Sequence, residues 1–307
     1  MCIVPGRLPG PETNEKEKVR LSESKKTTCP LRNGPLPLRI RAADRSIGIH
    51  SFSQEETAMI FKGRVVVVTG ASRGIGAATA RLLGRHGAAV GVNYFQSEEK
   101  ARKVVADIRA EGGKAEALRA DVRDEAQVGA MAREAEETLG IVDTLVINAS
   151  ISFPIVPFLE YRWVDFEAKL TGELRAAFFC CKAFVPPMVE RKAGCIIGIS
   201  SGLSRHPGNG FCAHSTAKSA LDSFMKSLAF ELGPRGIRVN VVAPGLTDTD
   251  ATAFQSKEEK EAVARMTPLK RIGLPEDVAG AVLLIASDEA RFVSGAYLPV
   301  SGGIQMI

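Results

Sequence analysis

Arg64-Val65-Val66-Val67-Val68-Thr69, followed by Gly70-Ala71-Ser72-Arg73-Gly74-Ile75-Gly76, decides the fold. Four consecutive valines without polar alternation are the pattern of a strand covered on both faces in a parallel sheet. Gly70, Gly74 and Gly76, spaced G-x3-G-x-G, then turn the chain into a helix over ~75–86 that stops at Gly87. Such a turn lets backbone amides approach a pyrophosphate, and the helix N-terminus adds partial positive charge. The same glycines could serve only the turn and close packing; the strand-turn-helix setting favours the phosphate site.

The alternation continues outward. Ala88 to Asn93 predicts a second strand, ~97–111 an amphipathic helix ended by Gly112-Gly113, and Ala115 to Ala120 a third strand. A helix over ~124–139 leads to a fourth strand, Val142 to Asn148. A long helix follows over ~163–191, in which Pro186-Pro187 predict a kink or an early end. Gly194 to Ser200 is the fifth strand, ~212–233 a helix, Ile237 to Ala243 the sixth strand and ~275–287 the last helix. Ala296 to Val300 closes the series. Alternating strands and helices imply right-handed crossovers and helices on both faces. The expected fold is one doubly wound Rossmann-type α/β domain over residues 59–307, with about seven parallel strands.

The chain has 307 residues, 45% hydrophobic and 24% charged, the balance of a globular protein. No stretch approaches the roughly 18 uninterrupted apolar residues of a membrane span; Ala281-Val282-Leu283-Leu284-Ile285-Ala286 has only core length. Of the net charge of +5, residues 1–58 supply +3, with ten Lys/Arg against seven Asp/Glu. No basic cluster marks a nucleic-acid or membrane surface, so neither partner is expected. Residues 1–58 also hold six prolines and no sustained periodicity. That composition predicts a disordered extension; the competing reading starts the protein at Met59, directly before Ile60-Phe61-Lys62-Gly63. The segment lacks the apolar core of a secretory signal, and its early glutamates argue against a transit peptide. The six cysteines show no C-x-x-C and no metal spacing, and adjacent Cys180-Cys181 reads as core filling. A reducing, cytoplasmic setting is expected. His50, His86 and His206 share no zinc spacing, so no metal is expected.

Later segments add to the glycine turn: Asn148-Ala149-Ser150, Ser200-Ser201, His214-Ser215-Thr216-Ala217-Lys218, Arg238-Val239-Asn240, Ala243-Pro244-Gly245 with Thr247, and Ser301-Gly302-Gly303. From about Gly63 to the C-terminus the chain resembles the short-chain dehydrogenase/reductase family, and most of all its β-ketoacyl carrier-protein reductase branch. The resemblance implies hydride transfer to a carbonyl on a small or carrier-linked substrate. It also implies that Gly70, Ser72, Arg73, Gly74, Ile75 and Gly76 hold the dinucleotide. By the same resemblance Asp121 and Val122 meet the adenine, while Asn148, Ala149, Pro244, Gly245 and Thr247 line the cofactor channel. Asp121 could equally cap the helix at ~124. Ser150 departs from the family's glycine, which narrows the space. Charge adds a preference: the second strand ends Val92-Asn93-Tyr94 with no acid to repel a 2′-phosphate, and Arg73 offers that phosphate a cation. Arg73 and Asn93 together favour NADP(H).

The catalytic group is where the chain departs. The family pattern is Asn, Ser, Tyr and Lys, with Tyr as acid and Lys lowering its pKa and binding the nicotinamide ribose. Residue by residue, Ser201 and Lys218 match, His214 stands for Tyr, and Glu173 of Glu173-Leu174 stands for Asn. None of Tyr94, Tyr161 and Tyr297 has the right spacing to a helical lysine; Tyr161 reads as packing near Trp163. Two readings of His214 compete. As an imidazolium it could donate the proton, its pKa depressed by Lys218 and raised by Glu173. Alternatively the tyrosine is lost, and the protein is a nucleotide-binding pseudoenzyme or non-redox catalyst. A third, plainer reading makes His214 a solvated helix-start residue. Residues ~246–267, with Thr247, Asp248, Thr249 and Asp250, read as a lid over the substrate, or simply as solvated helix across Lys257 to Glu261. The resemblance further implies a homotetramer or homodimer built on the helices at ~163–191 and ~212–233.

Overall fold

The computed structural model describes residues 59–306; the expectation for residues 1–58 lies outside them. Seven strands form one parallel sheet: β1 (Val65–Val68), β2 (Ala89–Tyr94), β3 (Lys114–Arg119), β4 (Thr144–Ile147), β5 (Gly194–Ile199), β6 (Ile237–Pro244) and β7 (Tyr297–Val300). Their order is β3-β2-β1-β4-β5-β6-β7. The chain runs outward from β1 to β3, then crosses back to β4, so the sheet order reverses between β1 and β4.

The valine run shows why β1 is central. Val66 and Val68 pack into one core layer, while Val65 and Val67 pack into the other. The first layer contains Leu83 of α1 (Gly74–Arg85), Ile108 of α2 (Glu98–Ala110) and Val282 of α7 (Pro275–Ala286). The second contains Met131 of α3 (Glu125–Thr138), Cys180 of α4 (Trp163–Arg191) and Met225 of α5 (Cys212–Leu232). Each strand residue therefore buries apolar surface whichever way it points. Cys180 and Cys181 fill the core, and burial pushes the Cys180 thiol up to about 12.

Two details correct the sequence reading. Helix α4 passes through Pro186 and Pro187 and ends only at Lys192, whose φ is +53°. The prolines do not shorten it: each loses the bond its nitrogen would have donated and crowds the carbonyl one turn back, yet the helix continues to Arg191. The cap of α3 is Asp124, whose Oδ1 accepts from Gln127 N at 3.0 Å, not Asp121. The segment after β6 contains α6 (Lys257–Met266), which buries none of its residues, in keeping with a solvated helix. No helix among the described residues is long and apolar enough to cross a membrane.

Candidate active site

The glycine turn sits at the β1/β4 reversal, the usual ligand crevice of such sheets. Gly70 and Gly74 have φ of +60° and +54°, which favours glycine. A Cβ on Gly76 would stand 2.5 Å from Asn148 Nδ2 and 2.6 Å from Gly70 O. Two asparagines pin this turn. Asn93 Oδ1 accepts from Gly70 N at 3.0 Å, and Asn148 Nδ2 donates to Thr69 O at 2.8 Å. Asn93 is 2% exposed, and its amide also donates to Leu118 O and Ala120 O, both at 3.2 Å. The sequence reading sets Asn93 against the cofactor. The structure instead makes it a strut, because a carboxamide accepts and donates at once and both of its polar atoms already have partners.

The turn fits a pyrophosphate. No side chain caps α1, so its first amides remain open beside Ser72, Arg73 and Ile75. The Arg73 guanidinium is exposed, 3.8 Å from the Asp250 carboxylate, and Lys100 Nζ lies 3.3 Å from the same oxygen. At the end of β3, Asp121 pairs with Arg123 at 2.7 Å, and Val122 is buried. Asn148 N and Ala149 N donate to Thr69 Oγ1 at 2.9 and 3.0 Å. Beyond Pro244, Gly245 N donates to Val300 O at 3.0 Å, and buried Thr247 donates to Gly245 O at 3.2 Å.

The structure brings Glu173 and Lys218 together from different helices. Lys218 Nζ donates to Glu173 Oε2 at 3.0 Å and to Ile199 O at 2.9 Å. A residue absent from the sequence reading completes the group. Lys169, one turn before Glu173 and fully buried, donates to Glu173 Oε1, to Ser150 Oγ at 3.0 Å and to Ile151 O at 2.7 Å. Ser150 Oγ in turn donates to Glu173 Oε1 at 2.6 Å. The serine that replaces a glycine thus helps hold the acid. Burial alone would raise the Glu173 pKa, but Lys218, Lys169 and these hydrogen bonds prevail and hold it well below the usual carboxylate range. Burial lowers Lys169 to about 8, even with Glu173 beside it.

His214 lies one turn before Lys218 on α5. Its ring stacks on Phe153, with centroids 4.8 Å apart and planes at 17°, and meets Phe211 edge-on at 6.3 Å. Its Nδ1 is buried without a partner. Burial first, then Lys218 and Lys169, depress its pKa to about 3, with Glu173 opposing. This corrects the imidazolium reading. The balance is not one lysine against one glutamate: two lysines and burial against Phe153 and Phe211 oppose a single carboxylate, which favours neutral His214 at pH 7. A buried nitrogen without a partner is better left as an acceptor than as an N–H donor.

Ser201 follows β5, and its Oγ accepts from Leu203 N at 3.2 Å. Tyr297 OH donates to Ser201 O at 3.2 Å and lies 3.2 Å from Ser204 Oγ. Tyr161 OH donates to Pro154 O at 2.9 Å, and both its ring and Trp163 pack on Phe166. Tyr94 is buried. Lys169 and Phe153 are the residues sequence reasoning missed. Lys169 carried a faint signal, a lysine four residues before a glutamate, which ordinarily marks a solvated pair.

Residues 70–305 match the family described as enoyl-(acyl carrier protein) reductase. An L-rhamnose 1-dehydrogenase (NAD(P)(+)) of Sphingomonas is 39% identical over 248 residues, covering 80% of this chain and 97% of the relative. A 3-oxoacyl-[acyl-carrier-protein] reductase of Staphylococcus aureus is 38% identical over 242 residues, covering 78% and 97%. Among solved structures, a dehydrogenase/reductase from Sinorhizobium meliloti superposes with a TM-score of 0.74 at 37% identity, over 81% of this chain and 98% of that one. A blue fluorescent protein from a metagenomic library, in complex with NADPH, gives 0.74 at 38%, over 80% and 99%. With its seven-stranded parallel sheet, its glycine turn and this agreement over nearly the whole length of its relatives, the chain belongs to the short-chain dehydrogenase/reductase family of oxidoreductases.

Proposed function

We propose that the protein is an NADP(H)-dependent reductase that converts a carbonyl, a 3-oxoacyl group or similar small ketone, to an alcohol. The observation that carries this reading is the buried Lys218, fixed to Ile199 O at the strand end beside Ser201. Arg73, exposed in the glycine turn and without an acid at the end of β2, supports a 2′-phosphate. Gly70, Gly74, Gly76 and the open N-terminus of α1 would hold the pyrophosphate, and Lys218 the nicotinamide ribose. When bound, the nicotinamide supplies the hydride.

The chain's own contribution is electrostatic. Ser201 orients the carbonyl, and neutral His214 presents its Nε2–H to the oxygen. A neutral imidazole polarises a carbonyl without carrying charge itself. The lysines behind it favour the negative charge that develops on that oxygen. The resulting alkoxide takes its final proton from water. The substrate is a free or carrier-linked small molecule, the setting is cytoplasmic, and α4 and α5 are the faces for a homodimer or homotetramer. Phe178 of α4, 49% exposed, lies on such a face.

The depressed pKa of His214 favours a second reading: a nucleotide-binding protein without ordinary ketone reduction. NADPH oxidation against β-ketoacyl thioesters, small ketones and quinones, with NADH as control, separates the two. Tight NADPH binding with no oxidation across the panel would replace the reductase reading with the second.

A further inference from the structure

Three charges lie buried together where α4 and α5 face each other: Lys169 and Glu173 on α4 and Lys218 on α5. Glu173 is shared, with Oε1 toward Lys169 and Oε2 toward Lys218. With Glu173 alone, Lys218 would sit in a neutral ion pair. Lys169 occupies the other carboxylate oxygen, so the cluster keeps a net positive charge. All three donors of Lys169 are engaged, by Glu173, Ser150 and Ile151, which fixes its position. Its ammonium also stands 4.8 Å from the centroid of the Phe153 ring, the ring that stacks on His214.

We propose that Lys169 is a positioning residue for the reduction: by neutralising Glu173 it leaves the charge of Lys218 uncompensated and holds His214 as a neutral N–H donor. The inference rests on the reductase reading for its catalytic consequence, though not for its effect on His214. The charged groups acting on His214 are Lys218 from its own helix and Lys169 and Glu173 from α4. Removing Lys169 leaves one cation against one anion, and the imidazole then accepts a proton more readily. Removing Glu173 as well returns the cluster to a single positive charge.

The test follows the His214 ring by NMR through a pH titration of the full chain, together with NADPH-dependent turnover. Lys169→Met should raise the proton affinity of His214 at least about tenfold and lower kcat about 10- to 100-fold, with little change in NADPH affinity. K169M/E173Q should return the His214 titration toward that of the unaltered protein. A folded Lys169→Met variant whose His214 titrates as before overturns the proposal. So does a folded double variant whose His214 keeps the raised proton affinity of the single one. Should Lys169→Met fail to fold, the double variant decides alone, by whether its His214 titrates close to that of the unaltered protein. Absence of turnover in the unaltered chain defeats the reductase reading only, and the titration still decides the role of Lys169.

Discussion

Glu173 on α4 accepts a hydrogen bond from Lys218 on α5 at 3.0 Å, although 45 residues separate them. The bond ties the long helix of one half of the chain to the helix that carries His214. It also sets how the site responds to substitution and pH.

Glu173→Gln should be costly. It leaves two buried ammonium groups facing each other without a carboxylate, and breaking a buried pair costs about 3–5 kcal/mol. A domain of this size loses roughly 2–4 °C of melting temperature per kcal/mol, so calorimetry should show a drop of at least about 6 °C. A drop of a degree or less would mean that water reaches the cluster.

Reduction should be nearly independent of pH between about 5 and 7, because His214 stays neutral well below that range and Lys169 loses its proton only near 8. An imidazolium donor would instead lose activity as pH rises through about 6.5. The pH profile of kcat/KM, measured with saturating NADPH, distinguishes the two. A tenfold fall between about pH 6.5 and 7.5 would count against the neutral donor.

The same group links stability to acid. The unfolded chain's imidazole takes a proton near 6.5, whereas the folded one resists until about 3. Between these values the unfolded state binds more protons. Stability from this source is therefore complete above about pH 6.5 and is lost as pH falls toward 3. His214→Gln should reduce the loss of melting temperature between pH 7 and pH 4.5; an unchanged loss would place the acid sensitivity elsewhere.

His214→Ala should lower turnover by about 10²–10³-fold, the usual loss for a donor to a developing oxyanion, with NADPH affinity nearly unchanged, as fluorescence titration can show. His214→Tyr should be active, since a phenol also presents a proton to the carbonyl oxygen at neutral pH. If the alanine variant matches the unaltered protein, His214 is not the donor. If only the tyrosine variant turns over, the nucleotide-binding reading prevails.

Cofactor choice should follow Arg73 and its neighbours. NADP(H) should bind at least ~10-fold tighter than NAD(H), about 1.4 kcal/mol, and Arg73→Ala should erase most of that difference. Asp250 draws on both Arg73 and Lys100, so Asp250→Asn should tighten NADPH binding a few-fold at low salt and less at high salt. Equal affinities for both cofactors in the unaltered protein would defeat the assignment.

The fold was legible because its signals are local. The unbroken valines of β1 and the glycines after them report burial and turn geometry within a dozen residues, and most elements end within one or two residues of expectation. An early end at Pro186 and Pro187 did not follow, because it depends on whether the packed helix tolerates the prolines, which spacing does not reveal. Ser201, Glu173 and Lys218 could be named in advance by resemblance. Lys169 could not, since its burial arises only when α4 packs against β4 and α5. Asn93 was readable as a residue without charge; only the folded register shows its amide turned toward Leu118 and Ala120.

The pair of asparagines beneath the glycine turn carries a kinetic consequence. With Gly70 tied to Asn93 on one side and to Asn148 on the other, the loop is held by the chain's own hydrogen bonds. Little chain entropy remains to be lost on association, so encounter should be limited by diffusion and orientation rather than by loop rearrangement. Cutting either amide would show first as slower capture of the nucleotide, with the chemistry that follows left intact.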